Sequence, residues 1–195
     1  MQRIGITGGI GSGKSVVSQI LRTMGYPVYN SDAEARRLMD CSTAIRTTLI
    51  SLFGSEVYLP EGGLNRPYLA GKIFGNKELL QKVNETVHPA VREDFQTWAS
   101  RQRSTIVGIE SAILFEAGFD CEVDSTLLVT CPPSVRIERV MKRDNCTTEQ
   151  VEARICNQTD DSAKATKADF IIVNDSMQAL LPQLISFIKS LAPKE

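Results

Sequence analysis

A glycine-rich segment near the start of the chain constrains its fold more than any other feature. Residues 8–15, GGIGSGKS, match the pattern G-x-x-x-x-G-K-[S/T] at every fixed position. The segment follows a short apolar run at residues 3–7 and precedes apolar side chains at helical spacing, namely Val16, Val17, Ile20, Leu21 and Met24. A strand, a glycine-rich loop and a helix in this order predict a loop that wraps phosphate groups, here called the phosphate loop. A turn that merely starts a helix would leave Lys14 and Ser15 unexplained.

The residue types of the phosphate loop suit the binding of a nucleoside triphosphate. Glycines let successive backbone N–H groups turn toward phosphate oxygens at the positive end of the helix dipole. Lys14 adds a positive charge for the β and γ phosphates, and the Ser15 hydroxyl can ligate Mg²⁺. We therefore expect Lys14 to be catalytic, Ser15 to be a metal ligand, and ATP to be bound by Gly8, Gly9, Gly11, Ser12, Gly13, Lys14, Ser15 and Val16.

Short, mostly β-branched runs recur along the rest of the chain. After residues 3–7 they occupy residues 26–29, 104–109, 125–130 and 170–173, and helical stretches separate them. Strands that alternate with helices predict an α/β fold with a mainly parallel sheet covered by helices on both faces. Residues 33–103 contain no convincing strand, so we expect a helical insertion between two core strands.

Three helices are expected in the second half of the chain. Residues 134–142 and 148–157 predict two helices joined by a polar segment, with a capping pattern formed by Thr147 and Gln150. A terminal helix is expected over residues 176–191, and Pro182 should kink or restart it.

Composition excludes several classes of protein. The net charge is −1, from 22 Lys and Arg against 23 Asp and Glu, so no field over the whole surface attracts nucleic acid. Because no run of 18 apolar residues occurs, we expect neither a membrane span nor an export signal. Five cysteines without a Cys-x-x-Cys pair, beside a single histidine, argue against a zinc cluster and a disulfide framework. We expect all five to be free packing residues in a reducing cytoplasm.

A guanine-binding signature is present but out of place. Residues 166–169, TKAD, match the [NT]KxD pattern of regulatory GTPases. In that family the Asp follows a core strand, whereas Asp169 precedes the apolar run at residues 170–173. The sequence therefore favours a small-molecule kinase over a regulatory GTPase.

Two further features suit a kinase, which needs an acceptor-side carboxylate and arginines near the transferred phosphoryl group. Asp32 follows the second predicted strand, where a parallel sheet opens a crevice for ligands. Alternatively, Asp32 only caps the helix expected over residues 32–40. Arg136, Arg139 and Arg143 share one face of a predicted helix, which is either a solvated surface or part of a lid that closes over ATP.

In combination, these segments resemble the dephospho-CoA kinase family over nearly the whole chain. Besides the phosphate loop, the resemblance is carried by Asp32 and Arg36, Ile73-Phe74, His88-Pro89, Leu114-Phe115-Glu116, Arg139, Arg143-Asp144, Arg154-Ile155-x-x-Gln158, and Ala168-Asp169-Phe170 with Asn174. The phosphate loop alone occurs in many families, but this combination in this order is much more specific.

The resemblance implies a P-loop kinase fold, with a five-stranded parallel sheet flanked by helices, a helical CoA domain and a helical lid. The nucleotide-binding core would comprise residues 1–32, 104–133 and 159–195, the CoA domain residues 33–103, and the lid residues 134–158. The implied activity is ATP- and Mg²⁺-dependent phosphorylation of the 3'-hydroxyl of dephospho-CoA, the last step of coenzyme A synthesis. The alternatives are another small-molecule or nucleoside monophosphate kinase of this fold, and a nucleotide-binding switch without turnover.

The resemblance also implies roles for residues around the nucleotide. Asp32 would be the base that orients the 3'-hydroxyl of the substrate. Arg139 and Arg143 would be catalytic residues of the lid, and Asn174 would lie near adenine.

On the acceptor side, the resemblance implies that Arg36, Phe74 and His88 face the CoA substrate. His88 directly precedes a proline, so a structural position at a helix start is an equal alternative. Glu110 and Glu116 end or follow an apolar strand, where either could hold a water of Mg²⁺ or could be an ordinary polar strand end.

Overall fold

The computed structural model describes residues 1–156 and 161–191. Its contacts divide into two compact units, one of residues 1–30 with the described residues from 101 onward, the other of residues 31–100. The predicted division into core, CoA domain and lid, with boundaries at residues 33, 104, 134 and 159, stays a prediction. Gln158 and the last residue of the helix predicted over 148–157 lie outside the described residues.

The first unit is built on one sheet. Its strands are β1 Gln2–Thr7, β2 Val28–Asn30, β3 Ile106–Glu110, β4 Ser125–Thr130 and β5 Phe170–Val173. Their order is β2-β3-β1-β4-β5 and every pairing is parallel, which confirms the predicted five-stranded parallel sheet. Because β1 is the middle strand, the phosphate loop at its carboxyl end lies at the switch point where open α/β sheets bind ligands.

Helices make up most of the remaining described chain. In chain order they are α1 Lys14–Thr23, α2 Ser31–Cys41, α3 Thr43–Phe53, α4 Arg66–Ile73, α5 Lys77–Ser100, α6 Pro133–Asp144, α7 Thr148–Cys156, α8 Asp161–Ala165 and α9 Leu180–Ser190. Two short 3₁₀ turns occupy Ser55–Val57 and Phe119–Glu122. Within the described ranges, no helix is both long and apolar enough to cross a membrane.

The core of the first unit fixes α1 on the sheet. Apolar side chains of β1, β4, α1 and α9 form one buried cluster that includes Ile4, Ile6, Leu127, Val129, Val17, Leu21, Leu184 and Phe187. Burying each such side chain stabilises the fold by roughly 1.5–3 kcal/mol relative to leaving it in water. The start of α1, where the phosphate loop ends, is therefore held on a rigid support.

The second unit is helical and has its own buried face. In α5 the apolar side chains recur every four residues, at Val83, Val87, Val91, Phe95 and Ala99, and all are buried. Between β2 and β3 the described residues form helices and one isolated bridge, Tyr58 with Leu64, but no strand. The predicted helical insertion is therefore confirmed.

The helix pair predicted over residues 134–142 and 148–157 is present as α6 and α7. The backbone N–H of Thr147 donates to Oε1 of Gln150 at 3.1 Å, so this half of the predicted capping pattern is confirmed.

The prediction for the terminal helix was wrong in its start and in the effect of Pro182. The Asp175 carboxylate accepts bonds of 2.9 Å from the N–H groups of Met177 and Gln178, and Ser176 has a φ of +69°, so a turn occupies this segment. The helix begins only at Leu180, which places Pro182 in its first turn. A proline there neither kinks nor restarts a helix, because its missing N–H has no partner within the helix.

The interpretation of His88 as a helix start was also wrong. Both His88 and Pro89 lie inside α5, which runs unbroken from Lys77 to Ser100. The apolar side chains of this helix recur every four residues on either side of Pro89. Their packing outweighs the unfavourable propensity of proline for the interior of a helix.

The prediction that all five cysteines are packing residues holds for only part of the set. Cys131 is buried and Cys146 half-buried, whereas Cys41, Cys121 and Cys156 are exposed; all five thiols are free. The cytoplasmic location inferred from them stays a prediction.

Candidate active site

The phosphate loop joins β1 to α1 along a path that requires glycine. Gly11 and Gly13 have φ angles of +78° and +93°, in the left-handed region that favours glycine. A Cβ at Gly13 would lie 2.0 Å from Nδ2 of Asn174, and a Cβ at Gly9 would lie 2.1 Å from Nη2 of Arg136. Side chains from distant parts of the chain therefore enclose the loop closely.

Two predicted nucleotide ligands lie where the helix dipole favours an anion. The first helical residue of α1 is Lys14, so Lys14 and Ser15 belong to its first turn. Val16 follows them with half of its surface exposed. The direct contacts of these residues with ATP stay predictions.

A buried carboxylate lies beside the Ser15 hydroxyl. In the parallel register of β1 and β3, Ile6 pairs with Glu110, so the carboxyl ends of both strands meet at the phosphate loop. Ser15 Oγ donates to Oε1 of Glu110 at 2.7 Å. Glu110 is 3% exposed, and its Oε2 has no hydrogen-bond partner within the described residues. A buried carboxylate oxygen without a donor is costly unless a cation or its bound water lies beside it.

The second acidic candidate, Glu116, has a different partner. Its Oε1 lies 3.3 Å from Nζ of Lys164, a fully buried lysine that also donates to the carbonyl of Ala112 at 2.9 Å. Glu110, by contrast, contacts Ser15 of the phosphate loop.

Asn174 and Arg139 meet on the other side of the phosphate loop. Asn174 directly follows β5, and its Nδ2 donates to the carbonyl of Ser12 at 2.8 Å. Arg139 Nη1 donates to the carbonyl of Asn174 at 3.1 Å, and its Nη2 donates to Ser176 Oγ at 2.7 Å. The structure therefore brings Arg139 and Asn174 to the phosphate loop, while the contact of Asn174 with adenine stays a prediction.

Arg143 occupies an exposed position at the end of α6 and is paired with an acid. Its Nε donates to Oδ1 of Asp144 at 2.7 Å, and Arg154 Nη1 donates to the other oxygen at 2.7 Å. The hydrogen bond from Arg143, reinforced by that from Arg154, lowers the pKa of Asp144 to about 2. Both guanidinium groups are thus held by one ionised carboxylate in this structure.

The remaining predicted site residues belong to the second unit. Asp32 and Arg36 lie on α2, Phe74 directly follows α4, and His88 lies on α5. Since α2 begins at Ser31, Asp32 belongs to its first turn, which corrects its expected position as the residue that caps the helix. The roles of Asp32 and Arg36 in the reaction stay predictions.

Phe74 and His88 differ strongly in exposure. Phe74 is 89% exposed, which is unusual for so large an apolar side chain. His88 is half-buried, and burial, together with the nearby charge of Arg92, lowers its pKa below the ordinary value. His88 is therefore neutral at pH 7.

Sequence reasoning missed one residue that touches the phosphate loop. Arg136 was considered only as a member of the arginine stripe on α6, yet it is 6% exposed and its Nε donates to the carbonyl of Ile10 at 2.9 Å. The alternative of a wholly solvated stripe is thus wrong. Nothing in the spacing of the three arginines distinguishes this buried member from the exposed Arg143.

The structure also explains why the GTPase signature is misleading. Both the backbone N–H and the hydroxyl of Thr126 donate to Oδ2 of Asp169 at 2.8 Å. Asp169 precedes β5 and Thr126 lies near the start of β4, so this contact joins the amino ends of the two strands. Asp169 is therefore structural. It lies at the amino ends of the strands, whereas the phosphate loop lies at their carboxyl ends.

Comparisons with known proteins agree with this arrangement. The sequence model of the dephospho-CoA kinase family matches residues 2–179. A dephospho-CoA kinase of Bacteroides fragilis is 44% identical over 193 residues, 98% of this chain and 94% of that protein. A crystal structure of a Thermus thermophilus protein superposes with a TM-score of 0.83 at 35% identity, covering 97% of this chain and 95% of the other. For a dephospho-CoA kinase from Campylobacter jejuni the TM-score is 0.66 at 25% identity, with coverages of 97% and 96%. The chain therefore belongs to the dephospho-CoA kinase family and is a kinase enzyme of coenzyme A biosynthesis.

Proposed function

We propose that the chain transfers the γ-phosphoryl group of ATP to the 3'-hydroxyl of dephospho-CoA, producing coenzyme A and ADP. Family membership supports the acceptor and the use of ATP. The observation that carries the proposal is the pair of Ser15 and Glu110 at the end of a complete phosphate loop. A loop that served only to start a helix would have no need of a buried, half-satisfied carboxylate beside its serine.

In this proposal the phosphate loop binds the triphosphate and places its γ-phosphorus for attack. Backbone N–H groups of the loop and the Lys14 ammonium neutralise charge on the β and γ phosphates. Lys14 is suited to this role because it lies in the first turn of α1, which the buried core holds on the sheet.

The residues of this chain also fit Mg²⁺. The Ser15 hydroxyl and the Glu110 carboxylate, directly or through bound water, would hold the ion, because both supply the oxygen atoms that Mg²⁺ prefers. When bound, the ion would offset negative charge on the phosphates. The Oε2 atom of Glu110, buried and without a partner in the described part of the chain, supplies the free ligand oxygen.

Asp32 is proposed to act on the acceptor. Its carboxylate would orient the 3'-hydroxyl and accept its proton as the bond from that oxygen to the γ-phosphorus forms. The bond between the γ-phosphorus and the bridging oxygen of ADP breaks in the same step. Arg36, Phe74 and His88 would bind the rest of dephospho-CoA, the neutral His88 as a hydrogen-bonding and packing group rather than as a charge.

Arg139 and Arg143 are proposed to stabilise charge on the transferred group. Arg139 already contacts Asn174, which itself bonds to the phosphate loop. Arg143 is held by Asp144, so its approach to the phosphoryl group would require this ion pair to break when ATP binds.

The proposal is tested by ADP release in the presence of MgATP and a panel of acceptors. Dephospho-CoA should stimulate release far above the acceptor-free rate, and mass spectrometry of the product should show one added phosphate at the 3' position. Stimulation by a nucleoside monophosphate or another alcohol instead would identify a different kinase of this fold. Binding of MgATP without stimulation by any acceptor would indicate a switch.

A further inference from the structure

Arg136 connects the phosphate loop to the beginning of α8. Its Nε donates to the carbonyl of Ile10 at 2.9 Å, and its Nη1 donates to Oδ2 of Asp161 at 2.8 Å. The side chain of Arg136 is 8% exposed and that of Asp161 17% exposed, so the ion pair is largely removed from water. We call this chain of contacts, from Asp161 through Arg136 to Ile10, the Arg136 bridge.

Arg136 also packs directly against two glycines of the phosphate loop, through its side chain and through its backbone. A Cβ at Gly9 would lie 2.1 Å from Nη2 of Arg136, and a Cβ at Gly11 would lie 2.7 Å from the carbonyl oxygen of Arg136. The side chain of Arg136 therefore packs against Gly9, and the backbone of α6 at Arg136 packs against Gly11. Only the first of these contacts depends on the arginine side chain.

Peptide geometry gives this contact a consequence for ligand binding. The carbonyl of Ile10 and the N–H of Gly11 belong to one planar trans peptide unit, so they point in opposite directions. Since Arg136 holds the carbonyl on its own side, the N–H of Gly11 must face away from Arg136. A hydrogen bond that fixes an acceptor on one side of the loop thus fixes a donor on the other side.

We propose that Arg136 is a positioning residue for phosphoryl transfer, which orients the N–H donors of the phosphate loop, and that Asp161 holds its guanidinium for this purpose. The inference rests on the proposed binding of ATP by this loop. Arg136 acts through the loop, because its Nε and Nη1 are bonded to Ile10 and Asp161 and its Nη2 lies against Gly9.

The inference is tested by comparing Arg136→Gln, Arg136→Lys and Asp161→Asn with the unmodified protein. Misplacing a positioned group by about 1 Å costs on the order of 100-fold in rate. We therefore expect Arg136→Gln to raise the Kd and KM for MgATP about 10- to 100-fold, with little change in the KM for dephospho-CoA. Asp161→Asn keeps an acceptor oxygen but loses the charge, so it should weaken MgATP binding in the same direction and by less.

The coupling of the two residues gives a second measurement. If Asp161 acts only by holding Arg136, the double variant Arg136→Gln/Asp161→Asn should bind MgATP no more weakly than Arg136→Gln alone. Additive losses in the double variant would overturn the role assigned to Asp161.

Asp169→Asn is the matched control for loss of stability. It disturbs a pair of partly buried hydrogen bonds in the same unit, but at the amino ends of β4 and β5, away from the phosphate loop. It should lower the melting temperature without changing the Kd for MgATP.

The outcomes separate this inference from the proposed function. A lower melting temperature for Arg136→Gln with an unchanged Kd for MgATP would show that Arg136 is structural only and overturn the inference. Arg136→Lys keeps a cation near Asp161 for stability but lacks the Nε that donates to Ile10, so it provides the test if the Gln variant does not fold. An unchanged Kd for MgATP in the Lys variant likewise overturns the inference. If the unmodified protein itself fails to bind MgATP, the proposed function is wrong, and the inference is overturned with it.

Discussion

The hydroxyl of Ser15 donates a hydrogen bond of 2.7 Å to Glu110, a residue 95 positions further along the chain. The parallel pairing of β1 with β3 brings these two residues together, because it aligns the carboxyl ends of the two strands. Of the two oxygens of Glu110, one accepts this bond and the other is buried without a partner among the residues described. The serine and the carboxylate together form a preorganised set of oxygen ligands.

Glu110→Gln should weaken the binding of Mg²⁺ and so raise the concentration of Mg²⁺ that the enzyme requires. The amide keeps an acceptor for Ser15 but removes the charge, so the half-saturating Mg²⁺ concentration should rise about 10- to 100-fold, as for lost outer ligands of metal sites. Without Mg²⁺ the variant should melt at a higher temperature than the unmodified protein, since it removes the charge of a buried carboxylate that has one oxygen without a hydrogen-bond partner among the described residues.

Glu116→Gln is the control for this measurement, because Glu116 contacts Lys164 rather than Ser15. It should leave the half-saturating Mg²⁺ concentration unchanged. Equal Mg²⁺ dependence in Glu110→Gln and the unmodified protein would exclude Glu110 from the metal site.

Lys14→Ala should lower kcat/KM by the equivalent of about 3–4 kcal/mol, the usual loss when an electrostatic donor to a transition state is removed. The fold should persist, because the apolar core of the first unit does not include this side chain. Circular dichroism and steady-state kinetics on one preparation provide the check. Lys167→Ala removes an exposed lysine of the same unit and should retain full activity; normal turnover in Lys14→Ala would mean that the phosphate loop is misassigned.

Asp32→Asn should lower the rate of phosphoryl transfer to dephospho-CoA by ~10² to 10⁴, toward the lower end because the transition state is loose. Binding of ATP should be nearly unchanged. Since Asp32 lies in the first turn of α2, loss of its charge should reduce stability by less than about 1 kcal/mol.

Glu34→Gln removes a carboxylate from the same helical turn and serves as the matched control. Its activity should be normal, although its ion pair with Arg37 is lost. If Asp32→Asn keeps more than about half of the activity, Asp32 only stabilises the helix and the catalytic carboxylate is another residue.

Arg143→Ala should chiefly lower kcat, with little effect on the KM for ATP, if Arg143 meets the phosphoryl group only after ATP binding. The same variant should raise the pKa of Asp144 from about 2, because its main hydrogen-bond donor is lost. Lys142→Ala, at the neighbouring exposed position of α6, should leave kcat unchanged. Equal kcat values for Arg143→Ala, Lys142→Ala and the unmodified protein would show that Arg143 is only a solvated surface residue.

His88 should titrate below 6.5 in the folded protein, because burial disfavours its charged form. The unfolded chain then binds a proton more readily than the folded one, so the free energy of unfolding should fall as the pH drops below about 6.5 and through the folded pKa. As the sole histidine, His88 gives a single set of imidazole signals in NMR, which reports its pKa directly. His88→Asn should lose this component of the pH dependence; a measured pKa at or above 6.5 would contradict the prediction.

The features that local patterns specify could be predicted from the sequence. Each strand is a short apolar run, and β4 and β5 have the predicted bounds. The phosphate loop was predictable for the same reason, because its glycines and Lys14 are contiguous. Where two local signals compete, as between the turn at Asp175 and the apolar spacing of the last helix, the start of the helix was misjudged.

The contacts that join distant segments could not be predicted in this way. The burial of Arg136 depends on Ile10, 126 residues earlier in the chain, and on Asp161, 25 residues later. Glu110 and Glu116 were both candidates for the Mg²⁺ site. The contact of Glu110 with Ser15 depends on the register of β1 with β3, which no local spacing encodes.

The position of β1 in the middle of the sheet has a consequence for the order in which the protein is made. Gln2 pairs with Ile106, so β1 leaves the ribosome roughly a hundred residues before its neighbour β3 and still longer before β4, which begins at Ser125. Residues 31–100 are contiguous and form their contacts locally, which favours their folding first. During that interval the apolar side chains Ile4 and Ile6, both fully buried in the finished protein, have no sheet to cover them and are open to aggregation. A chain that stops before Ser125 leaves β1 with at most one of its two neighbours and an exposed edge.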